Sequence, residues 1–162
     1  MTGELLDSRI WIVRAGPKGT ALDDFRSNGV VAVGWREVGA NAGDLDASTL
    51  ARLFAEQYPK AQRATRGIWL AQLKRFVREI QIGDPVATYD ATHRTYLLGV
   101  IKTEAAWRDN PLPRFRRVTW THCVNRDVLS QQTKNALGAI GTLFRASEPA
   151  SRELRSRATE IV

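Results

Sequence analysis

The sequence predicts an α+β fold: a curved sheet or small β-barrel of five to six strands with helices packed around it. Three patterns lead there. Short alternating or continuously apolar runs recur at the start of the chain and again in its second half. Two segments with apolar residues three and four apart stand between the second and third of those runs. The third and fourth runs are separated by a link short enough for a hairpin.

Residues 9–15 alternate around Trp11 and Val13 and predict a first strand, followed by a Gly/Pro loop and a short helix over 20–27 with Thr20 as its N-cap, closed by Asn28-Gly29. "VVAVGW", residues 30–35, is apolar throughout and predicts a strand buried on both faces. "EVGANAGDLD" is a loop. Asp46 then caps a helix carrying Leu50, Leu53, Phe54 and Tyr58, which Pro59 closes. A longer helix over 64–80 turns Trp69, Leu73, Phe76, Val77 and Ile80 inward and Lys74, Arg75 and Arg78 outward. "IGDPVATYD" and "RTYLLGVIKTE" read as a third and fourth strand joined by residues 91–94. "RFRRVTWTH" is a fifth, with Val118 and Trp120 on one side. A turn and short helix follow, "TLF" is a brief closing strand, and the arginine-rich tail is helical. The predicted organisation is one domain over 1–148, with 149–162 a packed C-terminal helix or the start of a linker.

A chain of 162 residues, 43% hydrophobic and 25% charged, can bury an ordinary core. No apolar run is long enough for a membrane-spanning helix, and "MTGELLDSR" lacks the build of a signal peptide, so the expected location is the cytoplasm. One cysteine, Cys123, and two histidines, His93 and His122, offer no metal-ligand spacing; neither metal nor cofactor is expected. Twenty-four basic against seventeen acidic residues give a formal charge of +7, which favours a polyanionic partner and points to nucleic acid.

Catalytic constellations are absent from the sequence. There is no Gly-x-Ser-x-Gly elbow, and the loop Gly16–Gly19 lacks the Lys-Ser/Thr of a phosphate-cradling loop. Asp84 and Asp90 flank a strand, but no Glu-x-Lys follows to complete a nuclease site, and Asp84 reads as a turn residue. Cys123 and His122, adjacent on a strand, point to opposite faces. The chain reads as non-catalytic.

Aromatic and arginine residues instead gather where strands end. Trp11 and Arg14 lie on the first strand, Trp35 ends the second, and Tyr89 and Asp90 end the third. Strand ends converging on one mouth would line a pocket suited to a base rotated out of its stack, held by flat rings and hydrogen bonds while cations grip the phosphates. Trp11, Trp35 and Tyr89 are the candidate walls. Asp90 would accept from an exocyclic amine, and Arg14 would hold phosphate or the base edge. Ala15 and Gly16, with Gly19, are small enough for close approach of a ligand to the main chain. Lys18, Arg36, Arg108 and Arg114, in or near predicted loops, are the candidate phosphate rim. Trp107 is either a loop anchor or a base-contacting wedge.

The succession "WIVRAG", "DDFRSNGVVAVGW", "FVREIQIGDPVATYD", "RTYLLGVI", "VTW" and "NRDVLSQQTKNALGAIGTLF" resembles the N-terminal module of Mrr-like prokaryotic restriction endonucleases, a PUA-like module related to EVE, YTH and SRA domains; the resemblance runs from Arg9 to about Phe144. Trp11, Val13 and Arg14 match the EVE-like first strand Trp-x-Val-Lys-Ser-Glu-Pro with Arg for Lys, whereas Ala15 and Gly16 stand in place of its serine and glutamate. Trp35 is similar in place to a YTH cage tryptophan, and Tyr89 and Asp90 lie on the strand corresponding to the EVE "GD" strand. The resemblance implies a sensor that takes a flipped modified base, such as 5-methylcytosine, from duplex DNA and leaves cleavage to a fused or associated nuclease. An RNA-binding PUA-like module, a small-molecule or partner-binding domain, and an independent enzyme stay open as alternatives.

Overall fold

The computed structural model describes residues 8–139 and 141–161, so the first seven residues of the expected 1–148 unit and Val162 lie outside the described residues. The architecture is α+β, built on one strongly curled sheet. Its strands are β1 (Trp11–Val13), β2 (Val30–Val33), β3 (Pro85–Asp90), β4 (Thr95–Ile101), β5 (Ala106–Trp107), β6 (Arg114–Asn125), β7 (Leu143–Arg145) and β8 (Thr159–Glu160). The helices are α1 (Leu22–Asn28), α2 (Ala47–Gln57), α3 (Arg63–Lys74), α4 (Gln131–Leu137) and α5 (Glu148–Arg157). The expected five to six strands are joined by β5 and β8, two-residue pieces on β6 that are too short to leave a sequence period.

The sheet runs β2-β6-β4-β3-β1-β7. Twelve-residue β6 organises it: its first half pairs with β2 and its second with β4, so the strand bends across the molecule and curls the sheet. A register shift at Leu98/Gly99 increases that bend. Gly99 is required there, since a Cβ would lie 2.4 Å from the carbonyl oxygen of Thr119. β3 and β4 form the expected hairpin, whereas β1 joins β3 in parallel with Trp11 opposite Val86 and Ile12 opposite Ala87.

One face of the sheet carries Trp11, Val13, Val31, Val33, Val86, Leu97 and Val118 against Phe25 of α1 and Phe76 beyond α3. The other carries Ile10, Ile12, Ala87, Tyr96, Leu98 and Val124 against Leu137 of α4 and Leu154 of α5. A satellite cluster joins α2 and α3 through Leu50, Phe54 and Leu73, with Trp35 packed on it. α5 is therefore a packed helix, the first of the two readings of the tail: Leu154 is buried, and the Ile10 amide donates to Ser151 Oγ over 2.9 Å.

Local chemistry sets the helix ends. Asp46 accepts from the Thr49 amide at the start of α2, and Gly29 adopts the left-handed conformation (φ 62°) that closes α1. Thr20 is not the cap of α1; its hydroxyl donates to the Pro17 carbonyl and the helix begins two residues later. The basic side chains of the segment predicted as a helix over 64–80, observed as α3 and the turn of helix after it, are not all turned to solvent. Lys74 donates to the carbonyls of Gly43 and Leu45, and Arg78 donates to that of Gly43, so they clamp the 39–45 loop.

Candidate functional site

Because β1 and β3 are parallel, their C-terminal ends open on the same side of the molecule. Continued by two residues, their register sets Arg14 level with Tyr89. Thr88 Oγ1 donates to the Val13 carbonyl (2.7 Å), and the Arg14 amide donates to Thr142 (2.8 Å), which fixes the point where the chain leaves the sheet. On the face covered by α4 a hollow of about 580 Å³ opens there, within the roughly 300–1,000 Å³ of ordinary ligand pockets. Ile12, Val13, Ala15, Leu137 and Phe144 form its apolar floor, and Gly19, Gly138 and Gly141 part of its rim. Tyr89 offers a half-buried ring, tilted against buried Tyr96 with centroids 4.8 Å apart.

The charge of this hollow is one-sided. Arg14, Lys18, Arg94, Arg126 and Lys134 line it, and among the described residues no carboxylate does. Arg94 is paired with Asp127 at 2.5 Å, which draws the Asp127 carboxyl below its ordinary range. The side chains of Arg14, Lys18 and Lys134 have no hydrogen-bond or ion-pair partner among the described residues. Burial raises the pKa of the Tyr96 hydroxyl, and the neighbouring Arg126 charge opposes that shift. The Arg94 carbonyl accepts from the Arg126 amide over 2.8 Å, tying the hairpin turn to the end of β6 and holding two of the cations together.

A family model described as Domain of unknown function (DUF8426) matches residues 11–145. This chain belongs to the DUF8426 family. The matched span begins with β1 and ends with β7, so the hollow lies inside the DUF8426 unit and α5 outside it. No curated protein and no solved structure matches the chain.

Within the DUF8426 unit, Arg14, Ala15, Lys18, Gly19 and Tyr89 are brought together as expected, and the remaining candidates are not. Trp11 is 3% exposed in the core; its indole donates to Asp84 Oδ2 over 3.0 Å, and Arg145 covers its ring. Trp35 lies at the opposite end of the sheet, because β2 runs antiparallel to β1 once the ladder is followed strand by strand. Its carbonyl accepts from Arg114 at the start of β6, whereas Tyr89 lies across from Tyr96, which pairs with Val124. Arg114 to Val124 spans ten residues of β6, roughly 30 Å of strand at 3.3 Å per residue. Asp90 points away from the hollow and is sealed (0% exposed), bound to Arg26 Nη2 at 2.5 Å and His93 Nδ1 at 2.6 Å. It has no access to a ligand.

Gly16 and Ala15 are small for reasons of fold. Gly16 has φ 72°, and a Cβ there would stand 3.3 Å from Ala21 Cβ and Thr20 Oγ1; Ala15 is itself a core residue. The expected phosphate rim also divides. Arg108 forms a mostly buried two-point bridge to Asp24 (3.1 and 2.5 Å), clipping its loop to α1. Arg114 is 3% exposed and donates to the carbonyls of Trp35, Gly39 and Ala40, with burial lowering its pKa to about 10. Arg36 is exposed at that same far end, beside Trp107 and bonded to the Asp109 carbonyl. Lys18 alone of the four borders the hollow.

Arg94, Tyr96, Arg126, Lys134 and Phe144 join the site without having been singled out in the sequence. Their only sequence signal is the clustering of cations in the two turns "ATHR" and "NRD" and in the short helix after them. Nothing in those turns reveals that β1, inserted between β3 and β7, brings them beside Arg14.

Proposed function

We propose that this protein binds nucleic acid by taking a base into the hollow between β1, β3 and α4, and that it serves as a non-catalytic, modified-DNA-sensing module of a cytoplasmic restriction system. The observation that carries the reading is the hollow beside Arg14: an accessible tyrosine face, an apolar floor, and five lining cations with no lining carboxylate among the described residues. A ring stacked on an aromatic side chain gains roughly 1–3 kcal/mol, and cations around the mouth suit the phosphates flanking an extruded nucleotide. The +7 formal charge adds long-range attraction to duplex DNA. Resemblance to PUA-like modules of Mrr-like endonucleases agrees with a partner nuclease, fused or associated, that does the cutting. Tyr89 is the stacking wall in this reading, with Arg14, Lys18 and Lys134 on the backbone or base edge.

Short duplexes carrying cytosine, 5-methylcytosine, 5-hydroxymethylcytosine or N6-methyladenine at one position, titrated at one salt concentration, test the proposal. At least one modified duplex should bind tenfold or more tightly than its unmodified parent, and Tyr89→Ala should abolish the difference. Equal affinity for all duplexes, unaltered by Tyr89→Ala, contradicts it. Single-stranded RNA outcompeting every duplex would transfer the base-binding site to RNA recognition.

A further inference from the structure

The polar side chains lining the hollow are Arg14, Lys18, Tyr89, Arg94, Tyr96, Arg126 and Lys134. Every one can donate a hydrogen bond. Five can do nothing else, and among the described residues no carboxylate, amide, serine or threonine joins them. Asp90, the carboxylate adjacent to Tyr89, faces the other side of the sheet and is spent on Arg26 and His93. Asp127, which follows the lining residue Arg126, is held by Arg94. A base whose distinguishing edge is an amine meets donors with donors, which leaves polar groups unpaired, and one distinguished by a neutral methyl offers these donors no acceptor.

We propose that the hollow is selective for an anionic flat ligand, and that the base it takes carries an acidic substituent, such as the carboxylate of 5-carboxylcytosine, in preference to 5-methylcytosine. The inference deepens the base-binding reading and rests on it for the DNA context, but the preference for an anion follows from the lining alone. In 5-carboxylcytosine one N–H of the exocyclic amine donates to the neighbouring carboxylate of the same base, so that donor needs no acceptor from the protein. The outer carboxylate oxygen is left for Arg14 or Lys134, whose side chains have no competing partner among the described residues. Charge-assisted bonds of this kind are roughly twice as strong as neutral ones. The same chemistry could be satisfied by a nucleotide's terminal phosphate, and the test separates the two sources.

Two titrations of the full chain decide the matter. The first compares duplexes carrying one 5-carboxylcytosine or one 5-methylcytosine; the second compares deoxycytidine 5′-monophosphate with deoxycytidine. A base-borne anion predicts at least tenfold tighter binding of the carboxyl duplex, reduced to threefold or less in Arg14→Met, which alters an exposed side chain outside the core. A terminal phosphate as the source predicts that the monophosphate outbinds the nucleoside tenfold, with Arg14→Met removing the gain, while the two duplexes bind alike. Binding of the monophosphate but of neither duplex upholds the anion preference and removes the base-flipping reading. Methyl and carboxyl duplexes bound equally, with no gain for the monophosphate, overturns the inference and leaves base binding standing.

Discussion

Tyr89 and Asp90, neighbours on β3, face opposite sides of the sheet and serve opposite ends. Tyr89 presents its ring to the hollow; truncating it to alanine should weaken capture of a base by roughly 1–3 kcal/mol, read from duplex titration, with unfolding little changed. Asp90 is a structural ion. Burial raises its pKa, but the bonds from Arg26 and His93 outweigh that and hold it at about 2, below the ordinary 3.8. A carboxyl depressed in the folded state stabilises the fold fully above its unfolded pKa, and that contribution is lost as pH falls through the folded value. Asp90→Asn should therefore cost on the order of 1–2 kcal/mol at pH 7 in urea unfolding, a difference that narrows as pH drops from about 4 toward 2. The same variant should leave discrimination between duplexes unaltered, because the side chain does not reach the hollow. Strand alternation placed this pair at a strand end, but which side opens on the hollow depends on α4 and α5, whose docking leaves no trace in the period of β3.

The elements divide by how local their cause is. Asp46 at the start of α2, Gly29 after α1 and the β3–β4 hairpin were legible because a cap, a left-handed glycine and a four-residue link each act within a few residues. The parallel pairing of β1 with β3 spans more than seventy residues and was not legible; it moved Trp35 to the far end of the sheet and brought Arg94 and Arg126 to Arg14. Arg114 was expected on an exposed phosphate rim, yet it and Arg116, which share the Val118 face of β6, are both buried, Arg116 donating to the Ile80 carbonyl over 2.6 Å. Buried arginines joined to backbone carbonyls carry no distinctive spacing. At this scale α5 provides a test: Leu154 is wholly buried against the β1–β3 face, so Leu154→Ala should cost about 2–5 kcal/mol in chemical denaturation. A loss below about 0.5 kcal/mol would mark α5 as peripheral to the domain.

Across the whole molecule, the curled sheet separates two basic ends. One bears Arg14, Lys18 and Lys134 around an open hollow; the other bears Arg36 and Arg114 against the ring of Trp107, a residue 37% exposed. The second end is more neutral, for Asp44 and Glu104 share its cleft with Arg78 and Arg114. Phosphate contact at the first end predicts that Arg14→Ala and Lys18→Ala each reduce the slope of log affinity against log salt by about 1, while Arg36→Ala leaves it unchanged. Measuring affinity between about 50 and 200 mM salt checks this.

The most direct measurement maps amide chemical shifts of the isotope-labelled protein while a short duplex with a single modified base is added. The account predicts that the largest changes cluster on Arg14, Lys18, Tyr89, Arg94 and Gly138 around the hollow, with residues 35–39 and Trp107 unmoved. Changes centred on Trp107 and Arg36, with Tyr89 and Gly138 still, would contradict it.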